Sequence, residues 1–131
     1  MTARDAASVS IADKVLPGSS TALEAMQRLL AWIEPSFAGL ALTAAGHRIV
    51  HGGLRYRQPT IVDADVIVAL RDLVPLAPLL QPQAIAAIEA LARMHPALLQ
   101  IACFDTAFHH TMPTVASTFA IPYAVTAAGL R

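Results

Sequence analysis

The sequence predicts one α/β domain, and three observations carry the prediction. Apolar residues recur at helical spacing in three separate stretches, a run from Leu98 to Phe104 that is apolar except for Gln100 has strand length, and a second extended segment around Gly46 to Gly53 precedes it. At 131 residues the chain suits a single hydrophobic core and is too short for a two-lobed enzyme.

Residues 1–19 are rich in Ser, Ala and Gly and end near Pro17-Gly18, so they read as a loosely ordered leader, with the folded domain spanning 20–131. Thr21 and Glu24 have capping-box spacing, and Leu23, Met26, Leu30 and Ile33 follow at helical intervals until Pro35. From Leu40 the chain changes character: Leu40 to Ala44, then His47 to His51 between Gly46 and Gly52-Gly53, read as two extended pieces. Asp63 is placed to cap a second helix with Val66, Leu70 and Leu73 on one face, before a stiff loop from Pro75 to Pro82. Pro82 suits the first turn of a third helix, with Ile85, Ile88, Leu91 and Ala92 as its inner stripe until His95-Pro96. The run Leu98 to Phe104 then ends on Asp105, and the tail from Thr106 to Arg131 mixes short helical and extended hints.

Lys plus Arg and Asp plus Glu number 9 each, so the formal charge is zero, and no basic cluster exists to suit nucleic acid or an anionic membrane. Asp63, Asp65, Arg71 and Asp72 interrupt the Val/Ile/Leu region, which argues against a membrane span. The lone Cys103 excludes a disulfide framework and a zinc knuckle and fits a reducing, cytoplasmic setting. Hydrophobic residues make up 56% and charged ones 14%, an apolar excess for a small monomer that calls for a covering partner.

Two constellations bear chemistry. On a strand, alternation puts Arg48 and Val50 on one face and His47, Ile49 and His51 on the other. A guanidinium beside a small aliphatic group suits a short carboxylic acid, because the planar fork grips a carboxylate or phosphate while the neighbour receives the alkyl end. Spacing alone equally allows a surface arginine before an ordinary glycine turn. A metal pair of His47 and His51 is disfavoured, since Ile49-Val50 opposes the helix that their spacing requires. Asp105, at the C-terminal tip of a buried strand, stands where α/β sheets bind ligands and has the hard oxygen that magnesium or a phosphoryl site needs. An N-cap for the next turn, helped by Thr106, is the competing role. His109-His110 is a weaker signal, as paired histidines more often bond a backbone carbonyl.

Three ordered motifs resemble the acetate and propionate kinase family, within the actin/hexokinase-like (ribonuclease H-like) superfold. They are Gly46-His47-Arg48-Ile49-Val50-His51-Gly52-Gly53, Leu76-Ala77-Pro78-Leu79, and Phe104-Asp105-Thr106-Ala107-Phe108-His109 with Thr111-Met112-Pro113 after it. The resemblance runs from about Leu40 to Arg131. It implies a partial lobe of that superfold, with few strands and several helices, and a reaction in which ATP phosphorylates acetate to acetyl phosphate with Mg2+. Arg48 and Asp105 would be catalytic, Arg48, Val50 and Leu79 would bind substrate, and Asp105 would organise the metal.

Departures from the family are local and global. Leu80 and Gln81 stand where relatives carry a histidine and an asparagine, and Leu54 stands where they commonly carry a glutamate. The opening strand with its phosphate-contacting residues and the whole ATP-binding lobe are missing, so the expectation is a truncated first lobe without cofactor-binding residues, inactive alone. It would need a second lobe or a homodimer partner. A non-catalytic interaction module is the alternative from another class, and propionate or butyrate in place of acetate is the alternative substrate.

Overall fold

In a computed structural model, the structure describes residues 2–4, 6–15, 18, 21–37, 39, 41–108 and 110–127. Its centre is a three-stranded sheet in the order β3-β5-β4, where β3 is Ala44–Ile49, β4 is Thr60–Ile61 and β5 is Leu99–Phe104. β3 and β5 run parallel, with Arg48 opposite Cys103 and Ile49 opposite Phe104, while β4 pairs antiparallel to β5. The parallel pair needs a crossover. Helices α2 (Ala64–Asp72) and α3 (Gln81–Met94) supply it, joined by a short 3-10 turn over Val74–Leu76.

The sequence-level caps account for where these helices start. Asp63 Oδ1 accepts from the Val66 amide at 2.8 Å, and Pro82 occupies the first turn of α3, where no partner for its missing N–H is required. Their inner faces meet the sheet in one core of Ile49, Tyr56, Val66, Leu70, Ile85, Ile88, Ala102 and Phe104. The expected stripe of α3 holds at Ile85, Ile88 and Leu91, but Ala92 is exposed and Ala90 is wholly buried. α3 lies between β3 on one side and α1 (Ala22–Ser36) on another, so its buried face is broader than a single stripe.

Other boundaries differ from the expectation for physical reasons. Thr21 caps α1 through the Glu24 amide at 3.1 Å, as its spacing indicates, but the helix passes Pro35 by one residue. A proline in the last turn removes one backbone donor without disturbing the turns before it. The two extended pieces expected between Leu40 and His51 are one strand, β3, with Gly46 inside it, and Leu40 lies outside the described residues. A Cβ at Gly46 would meet nothing within 4 Å, so this glycine marks an open edge rather than a break. Within the first 19 residues, β1 (Thr2–Arg4) and β2 (Ser10–Asp13) pair antiparallel, and Thr2 Oγ1 donates to Asp13 Oδ1 at 3.0 Å. The tail carries two short helices, α4 (Thr114–Ser117) and α5 (Tyr123–Ala127).

Candidate functional site at the tips of the parallel strands

Because β3 and β5 are parallel and in register, both chains emerge at the same edge of the sheet. There the chain after β3 turns through Gly52-Gly53, and the chain after β5 enters a 3-10 turn over Asp105–Ala107. The two turns are stitched together. The Gly52 amide donates to Thr106 Oγ1 at 3.0 Å, and the Gly53 amide donates to His51 Nδ1 at 2.9 Å. Gly53 has φ of +62°, a conformation that side chains resist, and Gly52 is buried against its neighbours. A Cβ on Gly52 would stand 2.7 Å from the Tyr56 carbonyl oxygen and 2.8 Å from the Phe104 ring. That ring is itself stacked on Tyr56, with centroids 5.1 Å apart.

From the other side, Gln81 reaches the same turn. It is fully buried, and its Nε2 donates to the His51 carbonyl at 3.0 Å and to the Leu70 carbonyl at 3.5 Å. One side chain thus joins the end of α2, the start of α3 and the turn after β3. The Gln81 Oε1 and the Tyr56 hydroxyl are buried without a hydrogen-bond partner among the described residues. Burying polar atoms this way costs free energy, so this base is specified rather than merely greasy. Sequence reasoning treated Gln81 only as a substitution; a polar residue at the head of an otherwise apolar helix face was the available signal.

On this base stand the two residues picked out by sequence. Arg48 Nε donates to Asp105 Oδ1 at 2.9 Å and to Oδ2 at 3.1 Å, while its NH2 donates to Oδ2 at 2.9 Å. The hydrogen bonds from Arg48 hold the Asp105 carboxyl below the usual carboxylate value, against a smaller opposing desolvation. The same contact raises the already high pKa of Arg48. The pair is open to solvent, with the Arg48 side chain 82% exposed and that of Asp105 38% exposed.

The remaining candidates are placed less closely. Val50 lies one residue beyond the end of β3 and is half-buried, so strand alternation no longer dictates its direction. Leu79 sits in the turn before α3 and is 82% exposed, and Leu80 beside it is also exposed. His47 points inward, its Nε2 donating to Gln100 Oε1 at 2.8 Å, and burial lowers its pKa despite that bond. His51 accepts from Gly53, so neither histidine of that pair faces a shared ligand. His110 bonds the Ala107 carbonyl at 2.7 Å, and His109 lies outside the described residues. Two shallow cavities lie at the opposite end of the sheet. One of about 430 Å³ is lined by Ile33, Glu34, Phe37, Ala41, Leu42 and His95, and one of about 370 Å³ by residues leading into β3 and β5. Arg48 and Asp105 line neither of them.

Magnesium is usually held by one or two carboxylates together with phosphates and waters. Asp105 offers one such hard oxygen donor set at the sheet edge, while no group of three or more His, Cys, Asp or Glu suited to a metal occurs among the described residues. The donors therefore fit a metal shared with a phosphate ligand and not a metal caged by this chain. No helix among the described residues is long and apolar enough to cross a membrane.

Comparison with known proteins gives this geometry its context. Acetate kinase of Rhodopseudomonas palustris (strain TIE-1) is 50% identical over 119 residues, covering 91% of this chain and 30% of that protein. The crystal structure of a propionate kinase from Francisella tularensis superposes with a TM-score of 0.73 at 33% identity, over 89% of this chain and 30% of that one. Acetate kinase from Entamoeba histolytica superposes with a TM-score of 0.70 at 28% identity, over 82% of this chain and 28% of that one. The α/β architecture is thus part of an actin/hexokinase-like fold, and the chain spans about 30% of the length of the curated relatives it matches. Residues 6–131 match the Acetokinase family, and this chain belongs to it.

Proposed function

We propose that this chain carries the carboxylate-facing part of an acetate kinase-type phosphotransferase, which converts ATP and acetate into ADP and acetyl phosphate. The observation that carries the reading is the juxtaposition of Arg48 and Asp105 at the C-terminal tips of two parallel strands, in a chain half identical to an acetate kinase. Ligands of open α/β sheets bind at that edge. In the reaction a carboxylate oxygen attacks the terminal phosphorus of ATP, and the bond from that phosphorus to the bridging oxygen breaks, leaving ADP.

Arg48 binds the carboxylate and then the phosphoryl group in flight, since its fork matches either anion and its charge offsets theirs. Val50 and Leu79 supply the aliphatic surface for the methyl group. Asp105 is the residue that would hold Mg2+, which would supply positive charge to offset that of the phosphates. In this reading the nucleotide is held by a second lobe or a partner molecule, because the chain spans about 30% of the length of the acetate kinase it matches. A cytoplasmic setting belongs to this reading, supported by ATP use and by Cys103 being the single cysteine of the sequence. Exposed Leu79 and Leu80 enlarge the apolar surface beside the site and favour propionate or butyrate as further substrates.

Two measurements test this reading. Nuclear magnetic resonance of the chain titrated with acetate, propionate and butyrate should move the signals of Arg48, Val50 and the Gly52-Gly53 turn, and signals that stay put for all three acids defeat it. Grafting the chain in place of the matching segment of the Rhodopseudomonas palustris enzyme should preserve acetyl phosphate formation, whereas the chain alone makes none. In the graft, Arg48→Ala should lower the rate by about 10²- to 10³-fold, the loss typical of removing a donor to a charged transition state.

A further inference from the structure

Arg48 is not an empty fork. The edge it presents through Nε and NH2 already accommodates both oxygens of a carboxylate, at 2.9 to 3.1 Å. This two-pronged contact is the arrangement in which arginine takes up a free carboxylate ligand. Here the carboxylate belongs to the chain itself, 57 residues away in sequence. Its position is imposed from below: β3 and β5 are paired through Ile49 and Phe104, and the Gly52 amide holds Thr106, the residue next to Asp105. The acid is therefore presented to the guanidinium by the most firmly held part of the fold. Because Arg48 is 82% exposed, a dissolved anion has access to the same guanidinium.

We propose that Asp105 is an internal carboxylate occupant of the Arg48 fork, so that a carboxylate ligand binds by displacing it, and a divalent cation that engages Asp105 strengthens carboxylate binding. The proposal rests on Arg48 being the carboxylate site. Its sign opposes the simplest view of the pair, in which Asp105 merely steadies Arg48 for its ligand. A steadying residue improves binding, whereas an occupant weakens it. Cation and carboxylate are then coupled reciprocally, each raising the affinity of the other by the same factor.

The test uses the full chain and sodium acetate as the probe, at fixed ionic strength, with the Nε–Hε resonance of Arg48 as the readout. In Asp105→Asn the competing charge is gone and the side chain is nearly the same size, so acetate should bind about two- to five-fold more tightly, the range set by exposed ion pairs. MgCl2 should strengthen acetate binding to the unaltered chain and leave Asp105→Asn unchanged. The unaltered chain also provides a measurement free of any variant: MgCl2 alone should shift the Arg48 resonance toward that of Asp105→Asn. Equal or weaker acetate binding by a folded Asp105→Asn overturns the proposal while leaving Arg48 as the carboxylate site. MgCl2 that fails to strengthen acetate binding to the unaltered chain overturns the coupling. Acetate binding that survives Arg48→Gln undiminished, followed through the amide resonances of Gly52 and Gly53, overturns the underlying reading instead.

Discussion

Replacing Gly52 by alanine is the sharpest probe of how the fold builds the site. The added methyl would stand 2.7 Å from the Tyr56 carbonyl oxygen, 2.8 Å from Phe104 Cδ1 and 2.9 Å from its Cγ. None of these neighbours is the free end of a flexible side chain. The carbonyl is backbone, and the Phe104 ring is stacked on Tyr56 at an interplanar angle of 11°. Overpacking of this kind costs about 1–3 kcal/mol. Moving the ring also sacrifices part of an aromatic pair worth about 0.5–1.5 kcal/mol. Moving the backbone instead lengthens the bond from the Gly52 amide to Thr106, a contribution of about 1 kcal/mol. Stiffening of the unfolded chain by alanine returns about 0.4–1 kcal/mol. The net expectation is a destabilisation of about 2–3 kcal/mol, dominated by the overpacking. Urea unfolding followed by far-ultraviolet circular dichroism measures it, with an unchanged slope marking an effect on stability alone. Gly53→Ala is the internal comparison. Its φ of +62° penalises a side chain by about 1–2 kcal/mol, but the nearest atom is the mobile end of Leu73 at 3.0 Å. Gly52→Ala no less stable than the unaltered chain, or less damaging than Gly53→Ala, would refute the argument from close packing.

Three further substitutions separate the layers of the site. Gln81→Ala leaves a cavity and an unpaired His51 carbonyl and should cost about 2–4 kcal/mol in urea unfolding, with Gln81→Met, which keeps the volume, costing less. His47 is held below its ordinary value near 6.5 mainly by burial, so the folded state resists its protonation. Its contribution is present in full above about pH 6.5 and is lost as pH falls through the lowered folded value. The urea midpoint of the unaltered chain should therefore drop more than that of His47→Gln on acidification from neutrality, and parallel pH profiles would contradict this. Arg48→Ala, an exposed change, should leave the urea midpoint nearly in place while abolishing the acetate-induced shifts of the Gly52-Gly53 turn.

Local chemistry was legible in the sequence wherever one residue type decides it. Thr21, Asp63 and Pro82 mark helix starts because caps and proline act within a single turn, and the run ending at Phe104 marks β5 because it has strand length and is apolar except for Gln100. Arg48 and Asp105 were legible as a guanidinium facing an acid at the tip of a neighbouring strand, but not as a direct two-pronged ion pair. Their contact depends on the register of β3 against β5, which a long crossover leaves unspecified. β4 has two residues, too few for alternation to show, and the β1–β2 ribbon offers only three or four residues per strand. Val50 escaped the face argument for the same reason in reverse, since β3 stops one residue short of it. Gln81 stood out as a polar residue at the head of α3, but what it joins was not legible because both of its hydrogen-bond partners are backbone carbonyls, which carry no sequence signal.

This division explains the design of the site. The groups that set its geometry, Gly52, Gln81 and the Tyr56–Phe104 stack, are buried and closely packed, so their errors appear as lost stability. The charged groups proposed to meet a ligand, Arg48 and Asp105, reach solvent, so their errors should appear as lost binding. The proposed exchange at Arg48 of an internal for an external carboxylate would leave the strands beneath it in place, because Gln81 under the turn is fully buried while the Arg48 side chain is 82% exposed.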